Sequence, residues 1–312
     1  MKNKVSLLIP VFNRAEWIAQ TLDSILRQTH TDWECLLVDD GSTDSTRDVV
    51  LSYCERDARF RLFTRPDNRM KGPNACRNYG FEQSTGSFIY FFDSDDLLLP
   101  EALATYLSHF DSTTEAVIAP VQKISAKDGR FLSKSQIYSE NLIEAYFIGT
   151  VSFYVCGPMW RRSFLEQQPE LFDEELRNLD DWDFNLRMLY AQPQLQFLTT
   201  PLVQYRQHDM SLKQELSKGN PEEIASAYQA RFKHLALLTA QNPAQRPLYQ
   251  RHIARFYRKT LRRALIGGWP WWGYYKSLTS LLFQTHDFAI WLRVSLGAVL
   301  LLTFKKGYRL LD

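Results

Sequence analysis

Apolar residues in the first half of the chain fall into short runs, and the runs alternate with segments of helical spacing. "VSLLIPVF", from residue 5, is nearly continuous apolar sequence with a β-branched start, the pattern of a strand covered on both faces. In "AEWIAQTLDSILRQ", Trp17, Ile18, Leu22, Ile25 and Leu26 recur at the spacing of one helix face. "WECLLVDD" reads as a second strand, and "STDSTRDVVLSYCERD" opens on Ser, Thr and Asp, residues that cap a helix. "RFRLFTRP" reads as a third strand, "GPNACRNYGFEQS" as a loop entering a helix, and "SFIYFFDSDD" as a fourth strand. Repeated strand and helix units of this length predict an α/β fold, with a mostly parallel central sheet and helices on both faces.

Beyond residue 115 the rhythm loosens. "AVIAPVQKI" and "FLTTPLVQYRQH" read as further strands, and "LDDWDFNLRMLYA" as a helix with its acids in the first turn. From about residue 222 the pattern is helical throughout. The expected division is a catalytic α/β domain over 1–223 and a helical region over 224–312.

Charge sharpens that division. The net charge of +2 is small, yet residues 224–312 hold fourteen Lys and Arg against two acids, which leaves 1–223 at −10. An acidic body joined to a basic tail implies two jobs in two places. Hydrophobic residues make up 45% of the chain, which excludes a disordered protein. The four cysteines, Cys35, Cys54, Cys76 and Cys156, form no C-x-x-C pair, so metal or redox spacing is absent and a reducing compartment is expected. The N-terminal apolar run is interrupted by Pro10 and is read as a first strand rather than a signal peptide, which places the chain in the cytoplasm.

Two strands end in carboxylates: Asp39 and Asp40 after the second, Asp93 and Asp95 after the fourth. Sheets of this class bind ligands outside the carboxyl ends of their strands. A charge there faces a cleft, whereas within the strand it would be buried at large cost. Asp-x-Asp suits a hard divalent cation, Mg²⁺ or Mn²⁺, held by one or two carboxylates together with substrate phosphates. Its bland alternative is a solvated turn or a helix cap. Asp39-Asp40 can accept hydrogen bonds from ribose hydroxyls or a base N–H, or can simply close a turn.

The segments "VSLLIPVFNRAEWIAQTLDSILRQTHTDWECLLVDDGSTDST", "GPNACRNYGFEQSTGSFIYFFDSDDLLLP" and "LDDWDFNLRM" occur in one order, and together they resemble the family 2 glycosyltransferases over residues 4–210. The resemblance implies the GT-A fold, Rossmann-like in its central sheet. It places Pro10, Val11 and Asn13 beside a nucleotide base and Asp40, with its neighbour Asp39, at the uracil or ribose. Arg77 and Asn78 fall near the diphosphate. Asp93 would face the ribose and share a metal with Asp95, and His208 in "YRQHDMSL" would be a metal or phosphate contact. Asp181 would be the general base. Where the family usually has Glu-Asp, this chain has Asp180-Asp181. Trp182 could line an acceptor site or belong to the core.

The implied partners are a nucleotide-sugar donor and a glycan or lipid-linked acceptor. One base and one metal suit a single inverting displacement; a double displacement would need a second carboxylate, with Asp180 and Asp183 as the candidates. A sugar-phosphate nucleotidylyltransferase would need a glycine-rich loop after the first strand, and "PVFNRAEW" has no glycine. A non-catalytic nucleotide-sugar binder or membrane scaffold would lack the base or the Asp-x-Asp.

In the tail, Arg251, Arg255, Arg258 and Arg262 fall on one helical face, and Trp269, Trp271, Trp272, Tyr274 and Tyr275 follow. Basic side chains beside Trp and Tyr suit an anionic membrane surface. The apolar run 288–304 has 17 residues with Arg293 inside it, short of the roughly 20 that a spanning helix needs, so a helix lying in the interface is expected. The alternatives are packing on the catalytic domain or a homodimer. No nucleic-acid motif accompanies the basic face. The expected location is the inner face of the cell membrane.

Overall fold

The computed structural model describes residues 3–207 and 220–311. The chain divides into two compact units, Met1–Ser211 and Leu212–Asp312.

In the first unit the elements run β1 (Val5–Val11), α1 (Ile18–Leu26), β2 (Trp33–Asp39), α2 (Thr46–Arg56), β3 (Phe60–Thr64), α3 (Pro73–Gln83), β4 (Phe88–Phe91), β5 (Leu97–Leu98), α4 (Ala102–Ser108), β6 (Ala116–Ile118), β7 (Val121–Ser125), β8 (Phe131–Lys134), α5 (Leu142–Ile148), β9 (Pro158–Arg161), α6 (Arg162–Leu165), α7 (Asp180–Tyr190), β10 (Leu195–Phe197) and β11 (Val203–Gln207). A seven-stranded sheet has the order β10-β6-β9-β4-β1-β2-β3. All its pairings are parallel except those of β9, which runs against both β4 and β6. A four-stranded sheet has the order β5-β11-β7-β8. The fold is therefore α/β with a mostly parallel sheet, as the pattern predicts.

Each of the two later runs proves to be interrupted. In "AVIAPVQKI", β6 belongs to the large sheet and β7 to the small one, with Pro120 between them. In the stretch that includes "FLTTPLVQYRQH", β10 and β11 divide in the same way around Pro201. Proline lacks the N–H that a sheet ladder needs, so the chain changes sheets there. Because β6 pairs with β10 and β7 with β11, both crossings are made side by side. Strand β9 was not legible, since "PMWR" has neither alternation nor length.

The central strands are buried on both faces: every residue of β2 and β4 is buried. Helix α1 turns Ile18, Leu22 and Ile25 inward, as its spacing requires. An aromatic cluster fixes α7 beside β4. Phe184, fully buried, stacks on Phe172 at 4.2 Å and meets Phe91 edge-on at 5.4 Å. The first turn of α7 is thereby held next to the carboxyl end of β4.

The second unit contains α8 (Pro221–Gln241), α9 (Arg246–Gly267), α10 (Trp272–Gln284) and α11 (Phe288–Phe304), then a short 3₁₀ turn at Tyr308–Leu311. Asn220 caps α8, its side chain accepting from the N–H groups of Glu222 and Glu223. Helix α9 buries Tyr249, Ile253, Tyr257, Leu261 and Ala264. Tyr257 stacks on Tyr228 of α8 at 3.8 Å. The arginine face is partly absorbed by this packing. Arg251 pairs with Asp287 at 3.2 Å, Arg258 is half-buried, and the Arg262 guanidinium lies over the Tyr308 ring. None of the helices among the described residues is long and apolar enough to cross a membrane.

Removing the Phe184 ring should lower stability by about 3–5 kcal/mol, because a buried aromatic leaves a cavity between β4 and α7. Denaturant unfolding of Phe184→Ala against an exposed control, Phe131→Ala, measures it; equal midpoints for the two would refute the anchoring role.

Candidate active site

The register of the parallel strands sets the geometry. Val11 at the end of β1 lies beside Asp39 at the end of β2, and Leu8 lies beside Phe91 at the end of β4. The loops after β1, β2 and β4 therefore leave the sheet from one edge, and the Asp-x-Asp begins two residues past β4.

The first two loops are stitched together. Asn13 adopts a left-handed backbone, φ 51°, which Asn tolerates better than most residues. Its side-chain oxygen accepts from the Thr43 N–H at 2.8 Å, and its own N–H donates to the Ser42 hydroxyl. Asp39 is buried and accepts from the N–H groups of Gly41 and Ser42 and from Arg47 at 2.8 Å. Gly41, at φ 85°, makes this turn cheap. Asp40 receives the Arg65 Nε at 2.5 Å, and Arg65 Nη1 also donates to the carbonyls of Pro66 and Arg69. Val11 has its side chain in the core, and its carbonyl accepts from the Asp40 N–H. Pro10 precedes it, half-buried.

Arg77 on α3 is the centre of the acidic cluster. It is buried; one guanidinium nitrogen donates to Asp180 at 2.7 Å and the other to Asp93 at 2.8 Å. Two carboxylates about 90 residues apart in sequence thus share one cation. The two charges hold the guanidinium above its already high ordinary pKa in spite of burial. Asn78, the next residue but on another side of the helix, does something else. Its amide donates to the Phe172 carbonyl and to Glu174, and its oxygen accepts from the Phe172 N–H. With Asn74, which donates to the carbonyls of Asp173 and Leu176, it pins the segment leading to α7.

The loop after β4 carries three acids in different settings. Burial, opposed by Arg77 and reinforced by the charge of Asp95, raises the Asp93 pKa. Asp95 is met by the Arg14 Nε at 3.3 Å, and its backbone carbonyl accepts from the Arg206 guanidinium. Asp96 is fully buried and accepts from the Arg206 N–H at 3.0 Å; burial pushes its pKa well up. Arg206 also donates to Gln20 at 2.6 Å and to the Thr21 hydroxyl, which ties β11 and α1 to this loop. Tyr205, stacked on Tyr154 at 5.4 Å, lies within the field of Asp96, Asp93 and Asp95.

At α7, Leu179 takes a left-handed backbone, φ 62°, so the chain turns sharply into the helix and presents its first residues together. Burial, then the charge of Asp180, pushes Asp181 up from 3.8 to about 7; Arg77 pulls the other way and is outweighed. Asp183 faces inward, fully buried, and takes two bonds from Arg187. Trp182 donates its indole N–H to the Tyr146 carbonyl and packs on Phe147, so it is fixed against α5.

The structure thus brings Asp93, Asp95, Asp180, Asp181 and Arg77 into one electrostatic neighbourhood. The Cys76 thiol, next to Arg77 in sequence, is pushed up to about 12 by burial and by the charge of Asp40, with Arg65 and Arg77 opposing. His208 lies outside the described residues. Sequence reasoning passed over Arg14, Arg65, Arg206 and Tyr205; only the last two had a visible signal, being in "YRQH". Among the described residues no three His, Cys, Asp or Glu side chains form a ready metal cage. A cation here would be shared between Asp93, Asp95 and a ligand's phosphates, which the all-oxygen donors suit.

A family model described as "Glycosyl transferase family 2" matches residues 6–168. EpsH of Bacillus subtilis, a glycosyltransferase by name, is 31% identical over 233 residues, covering 72% of this chain and 67% of its own. The poly(ribitol-phosphate) beta-N-acetylglucosaminyltransferase TarS of Staphylococcus aureus is 26% identical, over 72% of this chain but only 37% of its own length. A TarS fragment, 1–349, solved with UDP-GlcNAc, superposes with a TM-score of 0.60 at 17% identity, covering 93% of this chain and 90% of that one. A mannosyltransferase from Pyrobaculum calidifontis, solved with GDP-Man and Mn²⁺, has a TM-score of 0.52 at 17% identity, covering 97% and 87%. At such identity these structures establish the shared fold, GT-A.

The raised carboxyl has a consequence for stability. An acid whose folded pKa exceeds its unfolded value favours the fold while it is protonated. That contribution is whole below about 4 and is lost as pH rises through about 7. Asp181→Asn should therefore stabilise the protein by an amount that grows between pH 4 and 7 and levels off above. Urea midpoints at pH 5 and pH 8 test this; an equal gain at both, or a loss at pH 8, would contradict it.

Proposed function

The chain belongs to glycosyl transferase family 2, and from that premise we propose that it moves a sugar from a UDP-sugar to a hydroxyl of a lipid-linked or surface glycan, in one inverting displacement at an anionic membrane surface. The observation that carries this reading is the Arg77 bridge, which puts the Asp-x-Asp segment and the first turn of α7 on opposite sides of one guanidinium. A donor's diphosphate and an acceptor's hydroxyl would need to be brought together across such a span.

In this reading Pro10, Val11 and Asn13 border the base, and Asp39 and Asp40 shape the nucleoside side. Asp39 acts by holding the turn, and Asp40 is the carboxylate nearer a ribose or base N–H. Arg77 orients Asp93 and Asp180, and Asn78 holds the segment before α7. Asp93 and Asp95 would hold Mg²⁺ or Mn²⁺, with His208 as a third candidate ligand beyond the described residues. Such a cation offsets the charge that develops on the leaving diphosphate.

Asp181 takes the acceptor's proton as the hydroxyl oxygen bonds to the anomeric carbon and the bond from that carbon to the diphosphate oxygen breaks, its electron pair leaving with the nucleotide. A base with a pKa near the working pH suits this task, and burial beside Asp180 supplies it. A double displacement is disfavoured by the partners of its two candidate nucleophiles: Asp180 is bridged by Arg77, and Asp183 is buried on Arg187. The likeness to TarS, which has poly(ribitol-phosphate) in its name and was solved with UDP-GlcNAc, supports a UDP-sugar and a polymer acceptor, and the segment leading out of β1, "PVFNRAEW", lacks the glycines that a triphosphate-gripping nucleotidylyltransferase would need.

Asp181→Asn should reduce transfer at least 10³-fold while UDP affinity, measured by calorimetry, stays within about threefold. In the wild type kcat/KM should rise with pH through an apparent pKa near 7 and shift downward in Asp180→Asn, which removes the repelling charge. A pH-independent wild type would remove Asp181 from its role. Chelation should abolish UDP release from the donor with acceptor present, and Mg²⁺ or Mn²⁺ should restore it; undiminished release in excess chelator would defeat the cation assignment.

A further inference from the structure

The membrane expectation drew on the arginines of α9, the aromatics after it and the apolar run 288–304, and the structure shows which face of that run is left exposed. Along α11, Phe288, Leu292, Leu296, Val299 and Leu302 follow i, i+4, i+8, i+11 and i+14, a single face, and each is 43–63% exposed. The opposite face of the same helix is the packed one: Val294, Gly297, Ala298 and Leu301 are buried. The 3₁₀ turn at Tyr308–Leu311 closes over that packed face, where a Cβ on Gly297 would meet Leu310 at 2.8 Å. Phe283 of α10, also exposed, extends the stripe by an edge-on contact with Phe288 at 5.2 Å.

We propose that this stripe of α11 is the element that enters the membrane interface, seated on anionic lipid. The proposal rests on the membrane part of the function above and assigns the face that makes the contact. Charge selects the occupant. Arg293 borders the stripe, and Lys305, Lys306 and Arg309 follow the end of α11, all exposed. Among the described residues from α9 onward the one acid, Asp287, is paired with Arg251 and accepts from the Thr285 hydroxyl. A second copy of the chain on the same face would bring Lys305 and Lys306 toward their own kind, which costs affinity. A lipid surface with phosphate headgroups neutralises the same rim while its acyl boundary takes the stripe.

The test uses the full chain and sedimentation with vesicles of phosphatidylglycerol and phosphatidylethanolamine. The combined variant Leu292→Ser, Leu296→Ser, Val299→Ser should lose at least tenfold in vesicle partitioning, and Arg255→Gln, Lys259→Gln, Arg263→Gln less than threefold. UDP release by donor hydrolysis without vesicles should be unchanged in both. If the wild type stays in the supernatant, the membrane reading itself falls. If the wild type sediments and the serine variant sediments equally, the face is wrong while the membrane reading stands. A wild-type dimer that the serine variant dissociates, without vesicle binding, would make the stripe a contact between copies and overturn the proposal. Should the serine variant not fold, Leu296→Trp reads the same point: brominated acyl chains should quench the added fluorescence, and no quenching would refute insertion.

Discussion

One guanidinium holds the site together. Asp93 and Asp180 come from different elements, and each would be costly to keep charged in a buried setting without a counter-ion. Arg77 donates to both and is itself buried, its planar fork matching two carboxylates where a lysine would offer a point charge. The fold supports the arrangement from below. Arg77 rides on α3, packed on β1, while Asn74 and Asn78 of the same helix hold the segment that leads into α7. A single helix thus aligns the loop after β4 with the helix that carries Asp181.

The cluster remains short of positive charge even so. Asp93 and Asp181 both have raised pKa values, because burial and neighbouring carboxylates outweigh the one arginine. A chain selected only for stability would thin such a cluster. The deficit is useful where a cation and a diphosphate arrive together, and where a carboxyl has to hold a proton weakly enough to exchange it near neutral pH. Arg206 answers a different need. By donating to Asp95's carbonyl, to Gln20 and to Thr21, it fixes the backbone of the acidic loop, and its charge also acts on the carboxylates of Asp96 and Asp95.

The strand and helix rhythm of the first 100 residues was legible because buried parallel strands leave continuous apolar runs and their helices keep a 3.6-residue period. The acids at the strand ends were legible for the same reason, since they interrupt those runs abruptly. Where β6 gives way to β7 and β10 to β11, the pattern stays apolar through a proline, and periodicity cannot say that the two halves join different sheets. The partners of the acids were hidden more deeply. Arg65, Arg77 and Arg206 look alike in sequence, and only the fold shows that each serves a different carboxylate or carbonyl. The family resemblance put Arg77 and Asn78 together near the diphosphate; adjacent helical residues point about 100° apart, and the Asn78 amide is bonded to the Phe172 backbone and to Glu174.

The tail makes the same distinction between pattern and placement. Four arginines at helical spacing suggest a basic face, but a helical period alone does not say which face the bundle consumes. In α9 the large apolar residues Tyr249, Ile253, Tyr257 and Leu261 set the inward direction, and the arginines next to them are drawn partly into the bundle. In α11 the hydrophobic residues encircle the helix; packing takes Val294, Gly297, Ala298 and Leu301 and leaves Phe288, Leu292, Leu296, Val299 and Leu302 outside. Large apolar side chains gain most from leaving water. A helix that buries Gly297 and Ala298 while exposing Phe288, Leu292 and Leu296 has its greater unspent hydrophobic surface facing outward, and a basic rim decides what kind of surface can take it up.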